Sequence, residues 1–287
     1  MDQNTAEWLK MRKNFIGASD APIIMCKSKW RTNDGRVKTP RVLWEDKLGL
    51  SEAHCDNAST RYGKQMEGPA RIAYEKETGI LMVPEVVFHK EVRYMMSSLD
   101  GLSLDRDIAV EIKNANADDH AVAREKRVPE HYYPQVQHQL ACLNHDVMHY
   151  FSFHKGEGIV VEVKRDLDYL QLLYEREQQF WSCVQNLQEP DLNELDFRVQ
   201  GNEWEVKAHK LWETEENLRT NTKLAKELKD DLKRLSEGYN SKRGSFKFVS
   251  SIRRGSIDYS LIPELKDRNL ECFRKPPSQM WSLQKDR

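Results

Sequence analysis

Cysteine is scarce in this sequence and badly spaced for metal binding. The five cysteines, Cys26, Cys55, Cys142, Cys183 and Cys272, are odd in number and scattered, and no two stand in CxxC spacing. That argues against a cysteine-held zinc site or iron–sulfur cluster, and reduced, mostly buried thiols are expected. Long apolar runs are also missing. No stretch approaches the roughly 20 residues that cross a bilayer. The opening MDQNTAEWLKMRKNF has neither the apolar block nor the small-residue cleavage site of a signal peptide. The expected location is therefore the cytoplasm, with no membrane partner. There is no GxxxxGK[ST] signature, so the chain is not expected to drive its chemistry with ATP. No internal repeat or low-complexity segment is visible.

The chain has 287 residues, 39% hydrophobic and 32% charged, which allows a core and a polar surface. A net charge of −1 conceals an uneven distribution. Residues 1–41 carry nine Lys/Arg against four Asp/Glu, and residues 241–287 carry eleven against five. The middle is correspondingly acidic. Basic ends around an acidic middle suit a protein that holds a polyanion near carboxylates, and equally an ordinary solvated surface.

Residues 1–190 read as one mixed α/β domain. The pattern predicts a short helix at Glu7–Lys13, loops at 31–41 and 51–60, and a helix from Glu67 to Thr78 stopped by Gly79. Strands are predicted at Val86–Phe88, Tyr94–Met96, Ile108–Lys113, Val147–Phe153 and Ile159–Val163. Helices are expected at Asp119–Arg127, His131–Leu143 and Asp166–Leu187. Glu189-Pro190-Asp191 marks a boundary. Residues 191–240 form a helical arm, poor in large apolar residues and rich in charge, and residues 241–287 form a small basic β-rich tail.

One constellation carries chemistry. Ser98-Leu99-Asp100-Gly101 is followed, after nine intervening residues, by Glu111-Ile112-Lys113. Strand alternation sends Glu111 and Lys113 to one face and Val110 and Ile112 to the other. Asp-Gly is a strong turn dipeptide, and a hairpin closed there would bring Asp100 back beside Glu111. Two carboxylates with a lysine next door suit a hard divalent cation that polarises a phosphoryl oxygen, with the ammonium orienting water or stabilising developing charge. The same residues also suit a surface hairpin with a Glu–Lys ion pair. Glu67 is a third carboxylate. It is read here as opening a helix, where the dipole favours it, with Gly63 and Gly68 permitting close backbone approach. In Tyr132-Tyr133-Pro134-Gln135-Val136-Gln137-His138-Gln139-Leu140, Gln135 and Gln139 share a helix face, either toward a site or as a plain polar face. Arg12 and Ser19 stand in the basic N-terminal segment and have the chemistry to bind phosphate.

In order, Trp8–Arg12, Ile16–Asp20, Lys38-Thr39-Pro40 with Leu43-Trp44, Gly63 with Glu67 and Ala70, Ser98–Gly101, Glu111–Lys113 and Tyr132 with Gln135–Gln137 resemble the YqaJ-type viral recombinase nucleases. That group includes phage lambda exonuclease, within the PD-(D/E)xK nuclease superfamily. The resemblance covers roughly residues 7–187. The superfamily's proline before the aspartate is Leu99 here; that proline does no chemistry. The resemblance implies a mixed central sheet flanked by helices. It implies Asp100, Glu111 and the Ile112 carbonyl as ligands of one Mg²⁺, Glu67 as a ligand of a second, and Mn²⁺ as a substitute. It makes Lys113 the catalytic lysine and Gln135 an amide near the attacking water. Arg12, Ser19 and Ser98 become binders of DNA phosphate. The implied activity is ATP-independent 5′→3′ exonuclease digestion of linear duplex DNA, leaving 3′ single strands for a single-strand annealing protein in phage recombination. Some such proteins are ring-shaped homotrimers. An endonuclease with the same core, or a non-catalytic DNA-binding relative, would share most of these residues.

Overall fold

Alternating apolar residues build a six-stranded mixed sheet with helices on both faces. The architecture comes from a computed structural model, which describes residues 5–32, 35–51, 58–198 and 200–251 and positions 255, 262, 265 and 276. The chain divides into two compact units, 1–198 and 199–287.

The first unit opens with helix α1 (Ala6–Arg12), capped where Thr5 Oγ1 accepts the Trp8 N–H at 3.2 Å. Strand β1 (Ile16–Gly17) runs through a 3-10 turn (Ala18–Asp20) into the short α2 (Ala21–Ile24). Helix α3 (Pro40–Leu48) starts on Thr39 as cap with Pro40 in its first turn, so the end of the expected 31–41 loop is helical. Helix α4 (Ala58–Thr78) is two turns longer than the sequence pattern indicated and ends on Gly79, with φ +73°.

Strands β2 (Met82–Phe88) and β3 (Met95–Ser103) pair antiparallel, and β3 turns back into β4 (Ala109–Asn114). Helices α5 (Ala117–Arg124) and α6 (Tyr133–Leu143) cross over to β5 (Val147–His154), parallel to β4. A hairpin at Gly156 (φ +87°) leads into β6 (Glu157–Lys164). Helix α7 (Leu167–Gln185) follows, capped by Asp166.

Two core layers cover the sheet. Leu99, Leu102, Ala109 and Tyr150 pack with Val136 and Leu140 of α6 and Leu170 and Leu173 of α7. Val110, Ile112, Phe151 and Phe153 pack on the other face with Ala70 and Tyr74 of α4. The alternation expected for 110–113 is therefore present.

The hairpin differs from its sequence reading. Asp100-Gly101 is not the turn; it lies inside β3, and the chain reverses after Ser103, where Arg106 N–H donates to the Ser103 carbonyl at 2.9 Å. Between the β2–β3 pairs Val83↔Leu102 and Glu85↔Leu99, β3 carries one extra residue, a bulge at 100–101. Glycine is required there by crowding rather than by turn geometry. A Cβ on Gly101 would lie 2.7 Å from Met82 Cβ and 2.9 Å from Val110 Cγ1.

Strand β2 lines one edge of β3. The other edge is shared, with β1 paired at Met95–Met96 and β4 at Gly101–Leu102. Ser97 to Asp100 lie between the two.

In the second unit, helix α8 (Asn202–Leu235) is 34 residues long and buries none of them. Strands β7 (Ser241–Arg243) and β8 (Phe246–Phe248) form a small hairpin. The Arg253-Arg254 turn and Pro277 lie outside the described residues. No helix among the described residues is long and apolar enough to cross a membrane.

Candidate active site

Glu111 sits at the centre of β4 and is 2% exposed. A buried carboxylate is costly unless paired and hydrogen-bonded, and this one has three donors. Lys113 Nζ lies 2.5 Å from Oε1, Gln135 Nε2 donates to Oε1 at 2.6 Å, and Gln139 Nε2 donates to Oε2 at 2.5 Å. The two glutamines are 6% and 0% exposed, so their side of α6 is a buried reach toward Glu111 rather than a solvated polar face. Both side-chain amide oxygens lack a hydrogen-bond partner among the described residues. Hard oxygen acceptors are thus left unspent beside Glu111. Gln137 turns elsewhere, donating to the Lys164 carbonyl at 2.8 Å.

Asp100 reaches the same place from the bulge. The β3–β4 ladder stops at Gly101↔Val110, and Asp100 Oδ2 takes the Ile112 N–H at 2.7 Å. Ile112 thus joins the site through its N–H. Burial first, then the charges of Glu111 and Glu67, push the Asp100 carboxyl well above the usual carboxylate range. The nearby Lys113 and the Ile112 N–H only partly oppose this. Burial pulls Lys113 down, but Glu111 and Asp100 outweigh it and hold the ammonium above its ordinary value. The Lys113 Nζ also stands 5.0 Å over the Tyr132 ring.

Glu67 is close enough to act on Asp100, but its position in the chain is not the expected one. It lies mid-way along α4 rather than at a helix start, so the dipole argument fails. Its carboxylate accepts from Arg71 Nη2 at 3.1 Å. Among the described residues nothing lies within 4 Å of a Cβ on Gly63 or Gly68, and Asn114 Nδ2 approaches the Gly63 carbonyl at 3.3 Å. No three His, Cys, Asp or Glu side chains among the described residues close round one point. Charge balance still points to a cation. Among the described residues, the three carboxylates of Glu67, Asp100 and Glu111 are met by two cations, Lys113 and Arg71, and the surplus shows as the raised Asp100 carboxyl.

Across the gap in β3, a second cluster has the opposite surplus. Asp20 is 6% exposed. It accepts the Gly17 N–H at 2.9 Å and Lys47 Nζ at 2.6 Å, with Arg12 Nη2 at 3.6 Å. Arg12 also donates to Ser19 Oγ and lies over the Trp8 ring. Burial pushes Asp20 upward, but Lys47, Arg12 and the Gly17 N–H together hold it below the usual range. Two cations share one carboxylate here. Arg12 and Ser19 are therefore brought together as expected, with Asp20 and Lys47 as members the sequence did not single out. Ser98, half-buried on β3, lies between this cluster and Asp100 along the strand.

Residues 7–146 match the family model of the YqaJ-like viral recombinase domain. The protein YqaJ of Bacillus subtilis is 29% identical over 184 residues, covering 61% of this chain and 55% of that protein. The chain thus spans about half the length of that curated relative. Among solved structures, the alkaline exonuclease LHK-Exo of Laribacter hongkongensis has the same fold, with TM-score 0.53 and 22% identity over 64% of this chain and 94% of that one. Its complex with dAMP gives TM-score 0.54 over the same shares at 22% identity.

Proposed function

We propose that this chain, built on a YqaJ-like viral recombinase domain, is a Mg²⁺-dependent exonuclease that digests linear duplex DNA from its 5′ ends. The observation that supports the reading best is the convergence on buried Glu111 of Lys113, Gln135 and Gln139, with Asp100 bound to the next peptide. Asp100 and Glu111, with Glu67 nearby, are the residues that would hold the divalent ion, through side chains and the Ile112 carbonyl. Bound there, such an ion supplies Lewis acidity to a phosphoryl oxygen. Lys113 keeps its proton and offers positive charge where the pentavalent phosphate gains negative charge. Gln135 and Gln139 fix the Glu111 carboxylate and present amide oxygens that can orient a water. Arg12 and Ser19, with Ser98 on the strand between, bind the phosphate of the strand end. The opposite charge surpluses of the two clusters support that division of labour.

We read residues 1–190 as the nuclease domain, 191–240 as a helical arm and 241–287 as a basic tail. The product would be a 3′ single strand available to an annealing protein, from a cytoplasmic enzyme acting as a homo-oligomer.

The test uses linear duplexes labelled at either end, with and without 5′-phosphate, and a covalently closed circle, in Mg²⁺ and in EDTA. Metal-dependent release from the 5′ end with the circle intact is expected. Cutting of the circle would mean an endonuclease, and absence of turnover in Mg²⁺ or Mn²⁺ would mean a binding protein. Asp100→Ala and Glu111→Ala should each abolish release while sparing DNA affinity, since basic surface supplies the affinity.

A further inference from the structure

Helix α8 carries large apolar side chains and buries none of them. Trp204, Leu211, Leu218, Leu228, Leu232 and Leu235 are each between 47% and 78% exposed. Their spacing is regular. Trp204, Leu211, Leu218, Ala225 and Leu232 recur every seventh residue through five heptads. Counting these as position a, position d holds Leu228 and Leu235 in the C-terminal half and Lys207, Thr214 and Asn221 before them. Leu224 flanks the stripe at g, and of the helix's large apolar residues only Val206 and Trp212 fall outside it. Seven-residue spacing, rather than the 3.6-residue drift of a helix packed on a globular core, is the signature of a supercoiled seam. A helix about 51 Å long with no face packed among the described residues is otherwise hard to sustain.

We infer that α8 pairs in parallel with α8 of a second copy of this chain, forming a two-stranded coiled coil. One flanking charge pair and the leucine layers favour this arrangement. A parallel register sets Lys210 at g against Glu215 of the partner subunit at e. It also stacks the Leu228, Leu232 and Leu235 layers on their own equivalents. An antiparallel register that sets Leu232 against Lys207 would also set Leu218 against Asn221 and Ala225 against Thr214, so fewer layers would be apolar on both sides. Lys207 at d turns outward to Glu203, 2.8 Å away, which leaves the seam free of its charge. The other intrahelical ion pairs, Arg219–Glu216, Lys233–Asp230 and Arg234–Asp231, also leave positions a and d untouched. Polar d positions in the first half define the register at a cost in affinity, so the pair dissociates on dilution.

The test is cysteine crosslinking in the full chain. Leu211→Cys and Leu232→Cys lie at a, near opposite ends; Lys223→Cys lies at f, facing away. Under mild oxidation each a-position variant should give a covalent dimer on a non-reducing gel, several-fold above wild type and Lys223→Cys. Association through any other surface does not bring these positions together. The double variant Leu218→Glu/Leu232→Glu should lose, in sedimentation velocity, the concentration dependence that the wild type shows. Crosslinking of Lys223→Cys as fast as the a-position variants would overturn the proposal. So would failure of both a-position variants to crosslink, as in an antiparallel pair or a helix covered by the chain's own tail. A wild type whose sedimentation does not change with concentration, or matches that of the double variant, would do the same.

Discussion

Two ionic clusters lie along the same edge of β3, and they are built to opposite rules. Around Glu111, carboxylates outnumber cations, and the excess shows as a carboxyl at Asp100 that resists ionising. Around Asp20, cations outnumber carboxylates, and the one carboxyl there ionises more readily than usual. Burial is similar in both: Glu111 is 2% and Asp20 6% exposed. Burial alone therefore does not tell the two clusters apart. The sign of the charge left over does, because it states what the cluster lacks: a cation in one case and an anion in the other.

The comparison breaks most easily at Asp20. Asp20→Ala leaves Lys47 and Arg12 without their shared partner, and stability should fall by about 3–5 kcal/mol, measured by urea unfolding. The pH dependence has a definite sign. A carboxyl held below its ordinary 3.8 in the folded state contributes stability above that value and loses it as pH falls through the folded value. Wild-type stability should thus drop in the acid range below about pH 3.8, and Asp20→Asn should lose that part of the slope.

At the other cluster, Lys113→Ala should slow hydrolysis by about a hundredfold while Mg²⁺ affinity changes less; a drop under about threefold would reduce Lys113 to an ion-pair partner of Glu111. Arg12→Ala should bring the ratio of rates on 5′-phosphorylated and 5′-hydroxyl ends to about one, with Arg12→Lys recovering affinity better than preference. The smallest change expected is in the scaffold. Gly101→Ala forces Met82 and Val110 apart and should cost about 1–3 kcal/mol, read as a lowered Tm.

Much of this was legible in sequence because strand alternation and helix spacing are local. Glu111 and Lys113 on one face, and Gln135 with Gln139 on another element's face, follow from periods of two and about four. Gln139 belonged in the site on the same spacing that selected Gln135. Lys47 was not legible. It reaches Asp20 across 27 residues, and nothing near it marks a buried ammonium. The fully buried pair His138–Glu177, 2.7 Å apart, likewise joins residues 39 positions apart. The Asp-Gly pair misled because glycine answers to two demands, positive φ and lack of room, and here the second applied. The helix holding Glu67 starts at Ala58 rather than at Glu67, carried through Gly63, a residue that helix propensity disfavours.

The bulge at 100–101 also decides which changes in chain length this protein can absorb. The extra residue fixes the phase of β3 upstream of the hairpin, between Glu85↔Leu99 and Val83↔Leu102. Residues added to the 104–107 connection lengthen a surface loop and leave Asp100 where it is. Deleting Gly101 restores plain alternation. Leu99 and Leu102 keep their places under α6, and the carboxylate swings into the apolar layer of Ala70, Tyr74 and Val110 beneath α4. Two indels a few residues apart on one hairpin therefore have opposite fates, one silent and one taking the Asp100 carboxylate away from Glu111.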